Sequence, residues 1–168
     1  MRLEVNEPSP RYAADLAAAA QRGDLPDVNV WLALAVIEHP HHAAAADYWQ
    51  RGAAPQLWFN RVTMLALVRL LCQPKVMGPA AALELTRAID VYRGFAALPE
   101  VGLQREPDAC DAELQRLAAP AHPPLPARLW TDAYLAAFAI TAGLRLVTFD
   151  RDFDRFAGLH VLRLNTFA

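Results

Sequence analysis

Three aspartates hold the chemical interest of this chain. Asp132 opens the apolar helical run W-T-D-A-Y-L-A-A-F-A-I-T-A, and Asp150 follows the short apolar run L-R-L-V-T-F. Far upstream, Asp27 begins D-V-N-V-W-L-A-L, with Asn29 two positions on. Carboxylates with few other reactive groups suit a hard divalent cation. Mg²⁺ or Mn²⁺ takes oxygen ligands, keeps several waters and is held by a few acids together with a substrate phosphate. Such an ion lowers the pKa of bound water and neutralises charge on a scissile phosphate, so metal-dependent phosphodiester hydrolysis is the chemistry these residues fit best. Each acid also has a plain structural reading: Asp27 as an N-cap, Asp132 as a first-turn acid facing the helix dipole, Asp150 as a turn residue in D-R-D. No G-x-S-x-G elbow, P-loop, G-x-G-x-x-G or C-x-x-C offers a competing chemistry.

The elements around the acids decide whether they can meet. Thr131 as N-cap, Trp130 and Leu135 as a hydrophobic staple and Gly143 as a left-handed stop predict a helix over 132–142. Residues 144–149 then read as a buried strand, which puts Asp150 just past its carboxyl end, where open α/β sheets bind ligands. Around Leu25, L-P-D-V-N-V-W-L-A-L-A-V-I passes from a very short extended piece into a helix, with Pro26 enforcing the extended start. Between these ends, P-Q-L-W-F at 55–59 reads as a second strand, and Asn60 caps an apolar helix over 61–71 that contains Arg69. A helix is expected over 41–50, closed by Gly52. Another is expected over 80–92, started by Pro79 and running to Gly94, and a third runs from Asp108 to Leu117. Residues 101–103 and 160–164 complete the strands, with Phe153 and Phe156 anchoring the turn between the last two, and Pro120, Pro123, Pro124 and Pro126 stiffen the loop before Trp130. Alternating short strands and helices imply an α/β chain with a parallel sheet covered on both faces.

Length and composition agree with an ordinary folded domain. The 168 residues are 55% apolar and 20% charged, enough to bury a core, and the net charge of −2 is no nucleic-acid signature, so any such contact must be local. Cys72 and Cys110 sit in separate apolar patterns without a secretion signal, and no run reaches the ~18 apolar residues of a membrane helix; a reduced, cytoplasmic protein is expected. The His39, His41 and His42 cluster in H-P-H-H lacks cysteine partners or H-x-x-x-H spacing and reads as a helix start rather than a metal site. Trp31, Trp49, Trp58 and Trp130 are expected in the core rather than as stacking platforms. Residues 1–24, with an alanine-rich helix over 13–21, form an N-terminal extension ahead of a domain spanning 25–168.

Read together, D-V-N-V-W-L-A-L, F-N-R-V-T-M-L-A-L-V-R-L-L, W-T-D-A-Y-L-A-A-F-A and L-V-T-F-D-R-D-F resemble the PIN-domain ribonuclease family, and within it the VapC toxins of type II toxin–antitoxin pairs, over about residues 25–164. The resemblance implies a three-layer α/β/α sandwich with a mostly parallel central sheet, Mg²⁺-dependent endoribonuclease activity, homodimerisation and a cognate antitoxin. It makes Asp27, Asp132 and Asp150 the metal-binding acids and Asn29 the small polar residue beyond the first. Thr148 becomes the polar residue ahead of the last acid, orienting a water or a phosphate. Arg69 and Arg151 are the cations considered for the RNA phosphates. One departure stands out: the family's glutamate in the helix after the second strand has no counterpart around Ala66. Glu38, Asp47, Asp152 and Asp154 are the acids available to replace it. That gap keeps open a catalytically impaired binding module, beside an RNA-processing nuclease outside any toxin system.

Overall fold

The computed structural model describes residues 23–119 and 124–165. The expected helix over 13–21 and part of the proline loop lie outside the described residues. Five strands form one all-parallel sheet: β1 (Asp24–Pro26), β2 (Leu57–Phe59), β3 (Val101–Leu103), β4 (Arg145–Thr148) and β5 (Val161–Arg163). Their order across the sheet is β3-β2-β1-β4-β5. The chain therefore steps outward from β1 to β3, then returns to the other side of β1 to add β4 and β5. Strand order reverses between β1 and β4, and there an open parallel sheet leaves a crevice at its carboxyl edge.

Helices cover both faces, as the alternation of strands and helices requires. On one face lie α1 (Val28–Ala35), α2 (His42–Asp47), α3 (Arg61–Leu71) and α5 (Leu85–Ala96) around Trp31, Phe59 and Leu67; the four-residue α4 (Pro74–Met77) joins α3 to α5. The other carries α6 (Cys110–Ala118) and α7 (Trp130–Ala142) over Leu25, Leu146 and Phe153. Successive strand residues serve opposite faces: in β4, Leu146 enters the α7 side and Val147 the α1 side. Helix α7 has buried alanines at 133, 136, 137 and 139, which let it lie close against the sheet and α6. None of the described helices is long and apolar enough to cross a membrane.

Local signals hold where capping chemistry is unambiguous. Asn60 caps α3 with a full box: its Oδ1 accepts the Thr63 amide at 2.8 Å, and Thr63 Oγ1 accepts the Asn60 amide at 3.1 Å. Gly143 ends α7 at φ 65°, and the Leu144 amide reaches back to the Ala139 carbonyl. Phe153 and Phe156 are buried and pin the turn after β4.

Elsewhere the expected boundaries shift. Helix α7 begins at Trp130, fed directly by a 3₁₀ turn over Ala127–Leu129, so Thr131 is helical and exposed rather than the cap. Trp130 is 51% exposed, so the staple does not form and this tryptophan leaves the expected core. Helix α2 passes into a π-helical turn over Tyr48–Gly52 instead of continuing to Gln50. The helix expected over 80–92 starts later, at Leu85, because α4 ends at Gly78 (φ 83°) and the Leu83 amide is tied to the Leu71 carbonyl. Gly94 lies inside α5 rather than closing it.

A short first strand can be central because Asp24 is bolted in place. Its buried carboxylate accepts two hydrogen bonds from Arg145 (2.8 and 2.9 Å), one from the Tyr48 hydroxyl (2.7 Å) and one from the Ala54 amide (2.9 Å). Burial first, then the Asp24 charge, raises the Tyr48 pKa and keeps its hydroxyl protonated as a donor.

Gly102 faces Trp58 across the β2–β3 register, and a Cβ there would meet the indole at 2.4 Å. Gly102→Ala is expected to displace that ring and cost ~1–3 kcal/mol, read from the urea midpoint of unfolding. An unchanged midpoint would show that the ring moves freely.

Candidate active site

The carboxyl edge at the β1/β4 crevice collects the acids. Asp27 leaves β1, and its amide bonds the Val147 carbonyl at 2.8 Å, which ties the two strands at that edge. Its side chain also caps α1, Oδ1 accepting the Val28 amide at 2.6 Å. The structural and the chemical readings of this residue therefore both apply. Asp150 follows β4. Asp132 reaches the same edge because α7 runs antiparallel to β4, which puts its first turn beside the strand's end.

Thr148 is the hub. Its hydroxyl donates to Asp27 Oδ2 (3.2 Å) and accepts from the Asn29 side-chain amide (3.1 Å) and the Asp150 backbone amide (3.0 Å). One donor and two acceptor positions are all a hydroxyl has, and Thr148 is fully buried. In this arrangement it holds Asp27, Asn29 and the Asp150 backbone in place. Asn29 Oδ1 is left buried without a hydrogen-bond partner among the described residues.

The electrostatics are those of crowded carboxylates. Burial pushes the Asp27 pKa up to about 6, against the lowering effect of its Val28 and Thr148 hydrogen bonds; Asp132 and Asp150 raise it further. Asp132 is also raised, first by burial and then by Asp150 and Asp152, with Arg128 pulling the other way.

The acids available in place of a glutamate in α3 separate cleanly. Glu38 is exposed beyond the end of α1; Asp47 pairs with Arg51, and Asp154 with Arg163. Asp152 alone of the four is brought to the cluster: its amide donates to Asp150 Oδ1 at 2.8 Å, its charge acts on Asp132, and it pairs with Arg128 at 2.6 Å. Arg128 escaped the sequence reading because only the fold brings the turn before α7 against the turn after β4.

The two arginines considered for phosphate part company. Arg151 lines the groove beside Asn29 and Asp150. Arg69 is in the last turn of α3, which starts at the carboxyl edge and runs ~12 Å away from it at the helical rise. There it borders an apolar groove with Leu65, Leu85 and Ile89, not the acids.

As they stand, no three His, Cys, Asp or Glu side chains among the described residues are gathered closely enough to hold a metal. The donor chemistry nevertheless fits a divalent ion. Asp132 and Asp150 add to the charge cost of Asp27, Asp150 adds to that of Asp132, and a buried amide oxygen beside them lacks a partner among the described residues.

A sequence profile of the PIN domain matches residues 25–159. Ribonuclease VapC41 of Mycobacterium tuberculosis is 36% identical over 140 residues, covering 80% of this chain and 94% of the relative. Among solved structures, VapBC-1 from nontypeable Haemophilus influenzae superposes with a TM-score of 0.60 at 14% identity, covering 83% of this chain and 96% of that one. VapC20 of M. tuberculosis, a sarcin-ricin loop cleaving toxin, superposes with a TM-score of 0.58 at 16% identity, covering 78% and 92%. Profile, relative and fold agree over the same span, and the chain belongs to the PIN-domain family.

Proposed function

We propose that the protein is a metal-dependent endoribonuclease acting as the toxin of a toxin–antitoxin pair. The observation that carries this reading is the placement of Asp27, Asp132 and Asp150 at the same edge of the β1/β4 crevice, where Thr148 joins the Asp27 carboxylate to the Asp150 backbone and the charges of Asp132 and Asp150 act on Asp27. Similarity to Ribonuclease VapC41 supports RNA as the substrate, and likeness to VapBC structures supports an antitoxin partner. Homodimerisation and a cytoplasmic location belong to the same proposal.

Asp27, Asp132 and Asp150 would hold Mg²⁺ or Mn²⁺, with Asn29 Oδ1 and Asp152 at the margin of the set. When bound, such an ion supplies an acidified water and neutralises charge on the scissile phosphate. Thr148 fixes the Asp27 carboxylate, and the α1 cap keeps its other oxygen aimed at the Val28 amide. Arg151 stands ready for a flanking phosphate, since among the described residues no ion pair holds its guanidinium, whereas Arg128 and Arg163 are both tied to aspartates.

The test is cleavage of total RNA by purified, antitoxin-free protein. Discrete products with Mg²⁺ or Mn²⁺ that vanish with EDTA are expected. Cleavage that persists in EDTA would remove the metal from the reading. A second reading, a PIN-fold binding module without turnover, is favoured by the ungathered carboxylates and the missing α3 glutamate. RNA binding without products under any metal would select it.

A further inference from the structure

The H-P-H-H segment, read from the sequence as a helix start, lies at the site. A groove of about 640 Å³ is lined by Asn29 and Asp150 from the acidic cluster together with His39, His41, Phe149 and Arg151.

Its wall is aromatic and fixed. The His41 imidazole stacks on the Phe149 ring, centroids 4.7 Å apart and 28° between planes, and His39 meets His41 edge-on at 5.4 Å. The segment between α1 and α2 is tied at several points: the His39 amide to the Val36 carbonyl at 3.0 Å, the His41 amide to His39 Nδ1 at 3.1 Å, and the His42 amide to the His39 carbonyl at 2.9 Å. The His42 ring is hydrogen-bonded to the Ala33 carbonyl at 2.8 Å. A platform held this way costs little to order when a ligand arrives.

The groove joins one cationic end to one flat face. Arg151 carries the positive charge beside Asp150, and the His41–Phe149 pair offers π surface next to it. A phosphate linked to an unpaired planar base matches both; a duplex, whose bases are already stacked, does not.

Building on the nuclease reading, we propose that His41, backed by Phe149, is the stacking platform for the unpaired base flanking the scissile phosphate, with Arg151 contacting that nucleotide's phosphate. The platform selects single-stranded RNA and sets where along the strand the acids cut. His41 has a low structural burden, since it precedes α2 without a side-chain capping bond.

The experiment measures binding apart from cleavage. The full chain carrying Asp132→Asn is titrated with a short fluorescein-labelled single-stranded RNA of mixed sequence, and with an abasic ribose–phosphate chain of the same length. Adding His41→Ala is expected to weaken binding of the RNA by about tenfold, the effect of losing one stacked base, and to leave the abasic chain unaffected. His41→Phe is expected to restore the RNA affinity, which loss of fold or of charge would not allow. Equal RNA affinity with and without His41→Ala overturns the platform, as does an equal loss on the abasic chain or no RNA binding at all. On cleavable RNA, His41→Ala in the otherwise native protein is expected to raise KM about tenfold with little change in kcat. Asp132→Asn alone keeps the two ideas separable. If it cuts as fast as the native protein, the nuclease assignment of the acids fails while the KM of His41→Ala on cleavable RNA still decides the platform. If it is inactive and His41→Ala leaves KM unchanged, the nuclease reading stands and the platform falls.

Discussion

Asp27→Asn is expected to abolish RNA cleavage and, in EDTA at neutral pH, to make the protein more stable rather than less. The folded pKa of Asp27 is about 6 against an ordinary 3.8. The folded state therefore binds the proton more tightly than the unfolded state, and the contribution of Asp27 to stability is fully present below pH 3.8, where both states are protonated. That stability is lost as pH rises through about 6, and at pH 7 the charged, buried carboxylate costs ~3 kcal/mol. Asparagine carries no such charge and keeps an oxygen for the Val28 amide. Its amide end meets Thr148, whose acceptor positions are filled, so ~1 kcal/mol is returned through a lost hydrogen bond. A net gain of ~1–2 kcal/mol, or a few degrees in melting temperature, is expected. Cleavage should fall by at least ~100-fold, the scale on which active sites lose a charge-stabilising group; Asp132→Asn should be equally inactive. The checks are melting curves in EDTA between pH 4 and 7 and an RNA cleavage assay. A variant that melts lower at pH 7 would show that Asp27 is charged for the sake of the fold, and one that still cuts would remove Asp27 from the mechanism.

The second large effect lies on the opposite edge of the sheet. Arg145→Ala leaves the Asp24 carboxylate buried with only the Tyr48 hydroxyl and the Ala54 amide as partners, and also strips a donor from the Gly52 carbonyl. Removing one member of a buried pair costs ~3–5 kcal/mol, a large part of the ~5–15 kcal/mol that holds a domain together. The urea midpoint should fall accordingly. The double variant Asp24→Asn/Arg145→Met should recover much of the loss, because the penalty comes from an uncompensated charge. If Arg145→Ala changes stability by less than ~1 kcal/mol, water reaches Asp24 and the pair is an ornament of a wetter strand end.

Local signals carried far because several of them are complete within one turn of chain. The Asn60–Thr63 box and the Gly143 stop each need neighbours at most a few residues away, so they survive any tertiary arrangement. The end of β4 was legible for the same reason, and with it the place of Asp150. Where the start of a helix depends on what leads into it, the signal failed. Thr131 has the chemistry of an N-cap, but the turn over Ala127–Leu129 had already set helical backbone before it. Pro79 has the chemistry of a first helical residue, but its loop is tethered to Leu71.

What the amino-acid sequence determined by itself is the set of acids and their local settings: a carboxylate leaving a strand, one opening a helix, one ending a strand. Tertiary structure alone decided which of their neighbours matter. Thr148 meets Asp27, and Arg145 meets Asp24, across 121 residues of chain, distances that no periodicity encodes. Arg69 and Arg151 looked alike as cations, and only the direction of α3 carried one away from the acids while the turn after β4 kept the other beside them. The return of the chain to the far side of β1 is the physical reason. It creates the crevice, buries Asp27 against Thr148 and brings His39 and His41 to the groove beside Asp150.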